Sequence, residues 1–301
     1  MNTLLAAFDA QTVVDAIGLG AVYALMAVGI GLVFGVLRLV NFAYGQLIMA
    51  GAYTLALTSA WPVGAGIALC FAVVITLSLL MDRLVFRPLR TQSPAVMLVA
   101  TFAISFLLQS IALLKFGALG KPASSLASLN QAISVGGVDI RKVTLLAIAV
   151  AALALGALAL LLHRTSIGLH MRAASTDFRT ARLLGVRANT VIAFAVVLSG
   201  VLAAAVAVIL TVQTPLVTPD FALKDTIIVL VGVVVGGIDR PFPATLGGFA
   251  IGFATGFLGG VLPTDLSVYL PSLVFSVVIL VLLLRPAGLF TRGRASVVDR
   301  V

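Results

Sequence analysis

The chain has 301 residues, of which 61% are hydrophobic and only 10% are charged. Its mean hydropathy of +1.23 and its low share of charge exclude a water-soluble globule, since soluble domains carry about 25% charged residues. Helices satisfy their own backbone polar groups in lipid, so the composition predicts an all-α, polytopic membrane protein. The net charge of +9 is explained by bases at the ends of spans and predicts no nucleic-acid partner.

Uncharged stretches suited to a bilayer, which needs roughly 20 apolar residues of helix, follow one another along the chain. The second is long enough for two crossings with a turn at residues 61–66, and the sixth is too short to cross alone. We therefore expect about nine transmembrane helices (eight to ten), with short or broken helices near 38–46 and 226–243. The stretches are residues 16–37, 39–81, 91–114, 143–162, 188–219, 226–238, 241–264 and 266–284.

The basic residues predict the orientation, because cytoplasmic loops carry an excess of Lys and Arg. Fourteen of the 19 bases fall on one side of the predicted spans and five on the other. The amino terminus is then outside and the carboxyl terminus cytoplasmic, which requires an odd number of crossings. The outer group is Lys115, Lys121, Arg141, Lys142 and Lys224.

The first polar interruption is "LRLVNFAYGQLIMAG", residues 37–51, in a run without charge between Arg38 and Asp82. Broken backbone at membrane depth is tolerated only where protein or a cavity surrounds it. We expect substrate-pathway or gate groups here, at Asn41, Tyr44, Gly45 and Gln46. The alternative is that Asn41 only caps the second span near the cytosolic surface and that the glycines only let helices approach closely.

The second interruption, "GGIDRPFP", adds Gly236, Gly237 and Asp239 to the predicted pathway. One polar or helix-breaking interruption thus falls in each half of the chain. Paired interruptions of this kind are the best sequence indication of a transporter's substrate path.

The acidic residues argue against an ion-coupled secondary carrier, which usually needs an ionisable group at membrane depth. All ten are aspartates, and each is predicted at a span end, in a loop or in a tail. The sequence also has no phosphate-binding loop of the GxxxxGK[ST] type and no His/Cys/Asp cluster. We expect no catalytic residue, no metal site and no cofactor in this chain.

The longest predicted cytoplasmic connection spans residues 163–189. Within it, Phe178, Ala181 and Leu184 share one face of a short amphipathic helix. That helix either rests on lipid headgroups or docks into a cleft of a soluble motor subunit.

Three segments resemble the LivH-type permeases, the membrane subunits of branched-chain amino acid ABC importers. "GAVYALMAVGIGLVFGVLRLVNFAYGQLIMAGAY" (20–53) resembles the opening of that family, and "MRAASTDFRTARLLGV" (171–186) resembles its cytoplasmic coupling segment. "VGGI" with "LGG" (235–238 and 246–248) resembles its second glycine-rich signature. The similarity spans nearly the whole chain.

The resemblance implies a single permease domain over residues 1–301 in a bacterial inner membrane. Its partners would be a second related permease subunit, two cytoplasmic ATP-binding subunits that carry the ATP, and an extracytoplasmic solute-binding protein. The solute would be a branched-chain or other small apolar amino acid. The implied ATPase-coupling residues are Arg172, Asp177, Phe178, Arg179, Ala181, Leu183, Leu184 and Gly185.

The chain departs from that family at one place. The family usually reads Gly-Gly-Ile-Gly-Ser followed by Pro-Gly, whereas here Asp239 and Arg240 follow Gly-Gly-Ile and two prolines come next. This leaves open a different solute for the same type of permease, such as an amide, urea or an aromatic acid. An ion-coupled carrier and a non-transporting membrane scaffold are the remaining alternatives.

Overall fold

The computed structural model describes residues 10–37, 40–90, 92–124, 126–135, 138–176, 181, 183, 188–237 and 241–284. Seven helices in this part of the chain are long and apolar enough to cross a membrane, and two more have 14 residues each. Together they account for the nine predicted helices and confirm a polytopic, all-α membrane protein. The helices are α1 (Ala10–Leu37), α2 (Tyr44–Leu57), α3 (Val63–Met81), α4 (Pro94–Phe116), α5 (Lys142–Arg164), α6 (Ser166–Thr176), α7 (Ala188–Gln213), α8 (Leu223–Gly236), α9 (Pro241–Val261) and α10 (Leu270–Leu284).

Short elements complete the described chain. A π-helical turn (Asp82–Phe86) and a last turn (Arg87–Leu89) extend α3, so the two predicted crossings between residues 39 and 81 are α2 and α3. 3-10 turns lie at Ala127–Asn130 and Thr264–Tyr269. Two antiparallel ribbons pair β1 (Lys121–Pro122) with β4 (Leu216–Val217) and β2 (Ala132–Val135) with β3 (Val138–Arg141).

The two ribbons lie on one side of the helices, which we call the ribbon face. The start of α1 belongs to it, because the Gln11 side chain donates to the Asp139 carbonyl oxygen at 2.9 Å and accepts from its N–H at 2.9 Å. The end of α9 is there too, with Gly260 against Thr12. The side that carries α6, after the end of α5, is the opposite face.

Helix α1 lies at the centre of the bundle, and its Tyr23, Leu25 and Met26 are almost fully buried. It packs closely against α9 through glycine: a β-carbon on Gly252 would lie 2.8 Å from the Gly20 Cα atom, and one on Gly256 would lie 2.7 Å from the Ala16 Cα atom. Small residues let the two backbones touch, which is how membrane helices gain contact without a hydrophobic driving force.

The two 14-residue helices are each about 21 Å long, shorter than the ~30 Å hydrocarbon core of a bilayer. Their starts meet: a β-carbon on Gly45 of α2 would lie 2.9 Å from the Ala222 carbonyl oxygen. From there α2 runs to the ribbon face, where Tyr53 packs with Val217. Helix α8 runs the other way, and its Gly236 contacts the start of α9.

The meeting point lies deep in the membrane domain. The Tyr23 hydroxyl donates a 2.7 Å hydrogen bond to Asp225 Oδ1 in the first turn of α8. Since Tyr23 is at the midpoint of the 28-residue α1, the start of α8 lies about 20 Å below the ribbon-face end of α1. We call residues 44–46 and 222–226 the helix junction.

The junction corrects two expectations. Asp225 is at a helix end, as predicted, but that end lies at mid-depth, so the expectation that no acidic residue sits at membrane depth was wrong. Lys224 was assigned to an outer loop and instead lies beside Asp225. Because α8 is a half-length helix, its start is not at the membrane surface. The excess of bases on the opposite face is unaffected.

Candidate functional site

Asn41 forms the turn that leads into α2. Its Oδ1 accepts a 3.1 Å hydrogen bond from the Ala43 backbone N–H, and its carbonyl oxygen accepts a 3.3 Å bond from the Tyr44 N–H. The residue is 3% exposed. Asn41 therefore satisfies backbone groups freed by the break between α1 and α2, as both sequence interpretations require. The N-cap of α2 is Ala43, without a side-chain cap, and it lies at the helix junction, whereas the capping alternative placed Asn41 near the cytosolic surface.

Tyr44 and Gln46 are buried in the protein interior at the start of α2. The Tyr44 ring packs against Gly29 of α1. Within the described part of the chain, the Tyr44 hydroxyl and Gln46 Oε1 are buried without a hydrogen-bond partner. Buried polar atoms are normally paired, so these two are unusual and belong to the same short stretch as Asn41.

The facing half of the junction is the start of α8. Thr226 is 1% exposed, and its N–H (3.0 Å) and its hydroxyl (2.7 Å) both donate to the Ala222 carbonyl oxygen, which lies beside Gly45. Asp225, one residue earlier, is half-buried and accepts from Tyr23. Three helices of distant sequence, α1, α2 and α8, thus place polar groups together at mid-depth.

Gly236 and Gly237 end α8, and they do not lie at the junction. Gly237 has a φ of 111°, which favours glycine, and its N–H donates to Val233 and Val234 carbonyl oxygens at 3.1 and 3.2 Å. The glycines are about 16 Å of helix from Asp225, near the opposite face. The structure therefore does not bring the two sequence interruptions together. Asp239 lies outside the described residues.

An exposed strip runs along the segment that enters and forms α8. Its members are spaced by four, three and seven residues, which places them on one side of the chain. It is charged toward the ribbon face and apolar toward the opposite face. The strip consists of Asp220, Lys224, Ile227 and Val234.

The predicted coupling segment is described only in part. Arg172 lies on α6, where its Nη1 is 3.2 Å from His163 Nδ1. Ala181 is 4% exposed and Leu183 is 86% exposed, so an apolar side chain projects from this segment. Asp177, Phe178, Arg179, Leu184 and Gly185 lie outside the described residues. The sequence analysis did not predict α6, whose 11 residues precede the amphipathic stretch.

A partly buried ion pair fastens the opposite-face end of α3. Arg90 Nη2 donates to Asp82 Oδ1 at 2.6 Å, and Arg90 Nη1 donates to Asn189 Oδ1 at 2.8 Å. Asn189 is at the start of α7. The Arg90 guanidinium group therefore links the segment after α3 to the start of α7 on the opposite face.

The sequence did not predict a site at the start of α8. The residues concerned are Lys224, Asp225 and Thr226 of the helix junction, and Tyr23, which contacts it. A signal was present: the uncharged run 226–238 has only thirteen residues. A helix that is too short to cross, and that ends near one face, must begin inside the membrane together with the charged residues that precede it. Tyr23 had no comparable signal, because its partner is 202 positions away.

Helices broken or shortened at mid-depth, with polar groups gathered at their ends, define the class of membrane transport proteins. The chain belongs to the family described as "Branched-chain amino acid transport system / permease component", whose sequence model matches residues 12–284. This confirms the resemblance drawn from the three sequence segments.

Curated relatives cover the chain nearly end to end. The high-affinity branched-chain amino acid transport system permease protein BraD of Pseudomonas aeruginosa is 30% identical over 296 residues, 94% of this chain and 95% of its own length. The permease protein LivH of the same description is 26% identical over 298 residues in Escherichia coli K12 and 27% identical in Salmonella typhimurium, again at 94% and 95% coverage. No solved structure is significantly similar to the chain.

Proposed function

We propose that this chain is the membrane-spanning permease subunit of an ABC importer that carries branched-chain or other small apolar amino acids across a bacterial inner membrane. The observation that carries the proposal is the similarity to permease proteins with that description over 94% of the chain. The exposed strip supports it, because its apolar half at Ile227 and Val234 suits an aliphatic side chain passing through. An amide, urea or an aromatic acid is the alternative solute.

The chain would work within a complex. Its proposed partners are a second related permease subunit, two cytoplasmic ATP-binding subunits and an extracytoplasmic solute-binding protein. ATP would be bound and hydrolysed on the ATP-binding subunits, with no cofactor in this chain. In this arrangement the ribbon face is extracytoplasmic and receives the loaded binding protein, as the charge distribution predicts.

The proposed docking surface for the ATP-binding subunits is the coupling segment 163–189 on the opposite face. Leu183, exposed there, is an apolar contact of the kind that fills a cleft in a partner subunit. The cluster of bases in the same segment would hold it at the membrane surface.

The test is transport by the reconstituted complex. This chain, its genomically adjacent permease, two ATP-binding proteins and the binding protein are placed in proteoliposomes, and uptake of radiolabelled leucine and valine is measured. We expect uptake that needs internal ATP and the binding protein and persists when ionophores collapse ion gradients. Uptake driven by a gradient without ATP would establish the secondary-carrier alternative, since Asp225 at mid-depth offers such a carrier an ionisable group. Competition with amides, urea and aromatic acids tests the solute.

A further inference from the structure

Lys224 is in an unusual place for a lysine. It is the second residue of α8 and is exposed on the surface of the single chain, next to the Asp225 carboxylate that binds Tyr23 at mid-depth. Either end of α1 is about 20 Å away, too far for a lysine side chain to reach the headgroups. A charged group at this depth faces a protein partner or a water-filled cavity, since exposure to lipid tails is too costly.

Lys224 has no ion-pair partner within the described part of the chain. Among the residues that the structure describes, no carboxylate lies within 4 Å of its ammonium group, and Asp225 instead accepts the hydrogen bond from Tyr23. One cation and one anion thus stand side by side at the start of a helix. A helix start itself favours a carboxylate, because its N–H dipoles point outward.

A free amino acid carries the complementary charges. Its carboxylate and ammonium groups are both attached to the α-carbon. Two neighbouring protein charges of opposite sign can therefore bind both groups. Beyond Lys224 the exposed strip continues with Ile227 and Val234, which are apolar. Lys224 in the strip and Asp225 next to it therefore offer charged groups for a head group, and Ile227 and Val234 offer an aliphatic wall for a side chain.

We propose that Lys224 and Asp225 form a binding site for the charged head group of an amino acid in the transmembrane pathway, with Lys224 holding the carboxylate and Asp225 the ammonium group. Tyr23 is a positioning residue that fixes the Asp225 carboxylate. The inference rests on the proposed function and deepens it, because it assigns the strip to the pathway between this chain and its permease partner. A solute without both charges would be held less well.

The first test asks whether the strip faces water. Position 224 is replaced in Lys224→Cys and position 227 in Ile227→Cys, both with Cys70→Ala. The matched control is Leu153→Cys, midway along α5 and 73% exposed, which faces lipid at similar depth. The cysteine thiolate, which forms only in water, attacks water-soluble methanethiosulfonate reagents and displaces their sulfinate. We expect modification at 224 and 227 and none at 153 in the assembled complex. A lack of modification at all three positions would overturn the proposal.

The second test asks for recognition of the zwitterion and does not depend on the binding protein. The modification rate of Ile227→Cys is measured with leucine, with 4-methylpentanoate (no ammonium group) and with 3-methylbutylamine (no carboxylate). We expect leucine to slow modification and the two analogues to have little effect. Protection should vanish in Lys224→Met and persist in Lys224→Arg. Unchanged leucine protection in Lys224→Met would overturn the assignment.

Uptake separates this inference from the proposed function. If the wild-type complex shows no ATP-dependent uptake, the proposed function fails. If it does, Lys224→Met should lower leucine uptake per complex by about tenfold or more, as expected for the loss of one charge-assisted contact. Full leucine uptake by Lys224→Met would overturn the head-group site and leave the proposed function in place. Assembly of this variant is expected, because removing a charge at mid-depth eases insertion.

Discussion

Gly45 of α2 and Thr226 of α8 touch so closely that a β-carbon on Gly45 would lie 2.5 Å from the Thr226 hydroxyl oxygen. Gly45→Ala should therefore force the two helix starts apart, at a cost of about 1–3 kcal/mol for overpacking. The measurement is the midpoint temperature at which the purified protein loses its monodisperse peak in detergent. Gly35→Ala on α1 is the matched control, since among the described residues its added methyl would meet no atom within 4 Å outside the neighbouring backbone of α1. Equal midpoints for the two variants would contradict the close contact.

Arg90→Gln should destabilise the protein by leaving the Asp82 carboxylate, 11% exposed, without its charged partner. Loss of a charged partner at a partly buried site costs about 1–3 kcal/mol. Thermal midpoints of Arg90→Gln, Asp82→Asn and the double variant form a cycle, in which we expect the double variant to lose less than the sum of the single variants. The exposed neighbour Arg87→Gln should be near neutral. Additive losses would show that the pair contributes no coupling.

Asn41→Leu removes the acceptor of the Ala43 N–H while keeping similar bulk. The loss of this hydrogen bond is worth about 1 kcal/mol, so the protein should still assemble. If Asn41 supports a gate, a bias of about this size shifts the populations of its two states by several-fold. Uptake per assembled complex should therefore fall several-fold in Asn41→Leu and recover in Asn41→Ser, which keeps an acceptor. An unchanged normalised rate would leave Asn41 as a structural cap only.

Leu183→Asp places a charge on the exposed apolar side chain of the coupling segment. We expect normal membrane insertion, but loss of uptake and of the ATP hydrolysis that the loaded binding protein stimulates, because a desolvated apolar contact is replaced by a charge. Leu119→Asp, 90% exposed near the ribbon face, is the control and should leave coupling intact. Retained coupling in Leu183→Asp would restrict this segment to contact with the lipid surface.

Orientation is tested with two single cysteines in a Cys70→Ala background. Ser128 is exposed near the ribbon face and Ser166 is exposed at the start of α6 on the opposite face. An impermeant maleimide should label Ser128→Cys in intact cells and Ser166→Cys only after the membrane is opened, because the sequence predicts most of the bases on the side of α6. The reverse pattern would mean that the amino terminus is cytoplasmic.

The sequence was sufficient for the class of fold because span length and hydropathy are local properties. The turn between α2 and α3 follows from the length of the run between Arg38 and Asp82, and the shortness of α8 follows from its thirteen uncharged residues. These features need no knowledge of neighbours in space.

The depth of a residue in the membrane could not be predicted from the sequence in the same way. Lys224 and Asp225 look like loop residues in the sequence. The short uncharged run 226–238 indicates that α8 begins inside the membrane, and the contact between Asp225 and Tyr23 shows at what depth. The two interruptions lie apart for the same reason: the counterpart of residues 44–46 is the start of α8, whereas Gly236 and Gly237 are at its end. Which end of a short helix is deep depends on long-range packing.

The glycine contacts between α1 and α9 have a consequence for how the protein is made. Helix α1 is synthesised first and α9 nearly last. The side of α1 that carries Gly20 therefore has no helix packed against it while the intervening helices are inserted. Its 18-residue window has a mean hydropathy of 2.2, so lipid tails can cover that side at little cost until α9 arrives. The closure of this seam is therefore a late step of biogenesis, and a chain that stops before residue 241 leaves its central helix without its neighbour.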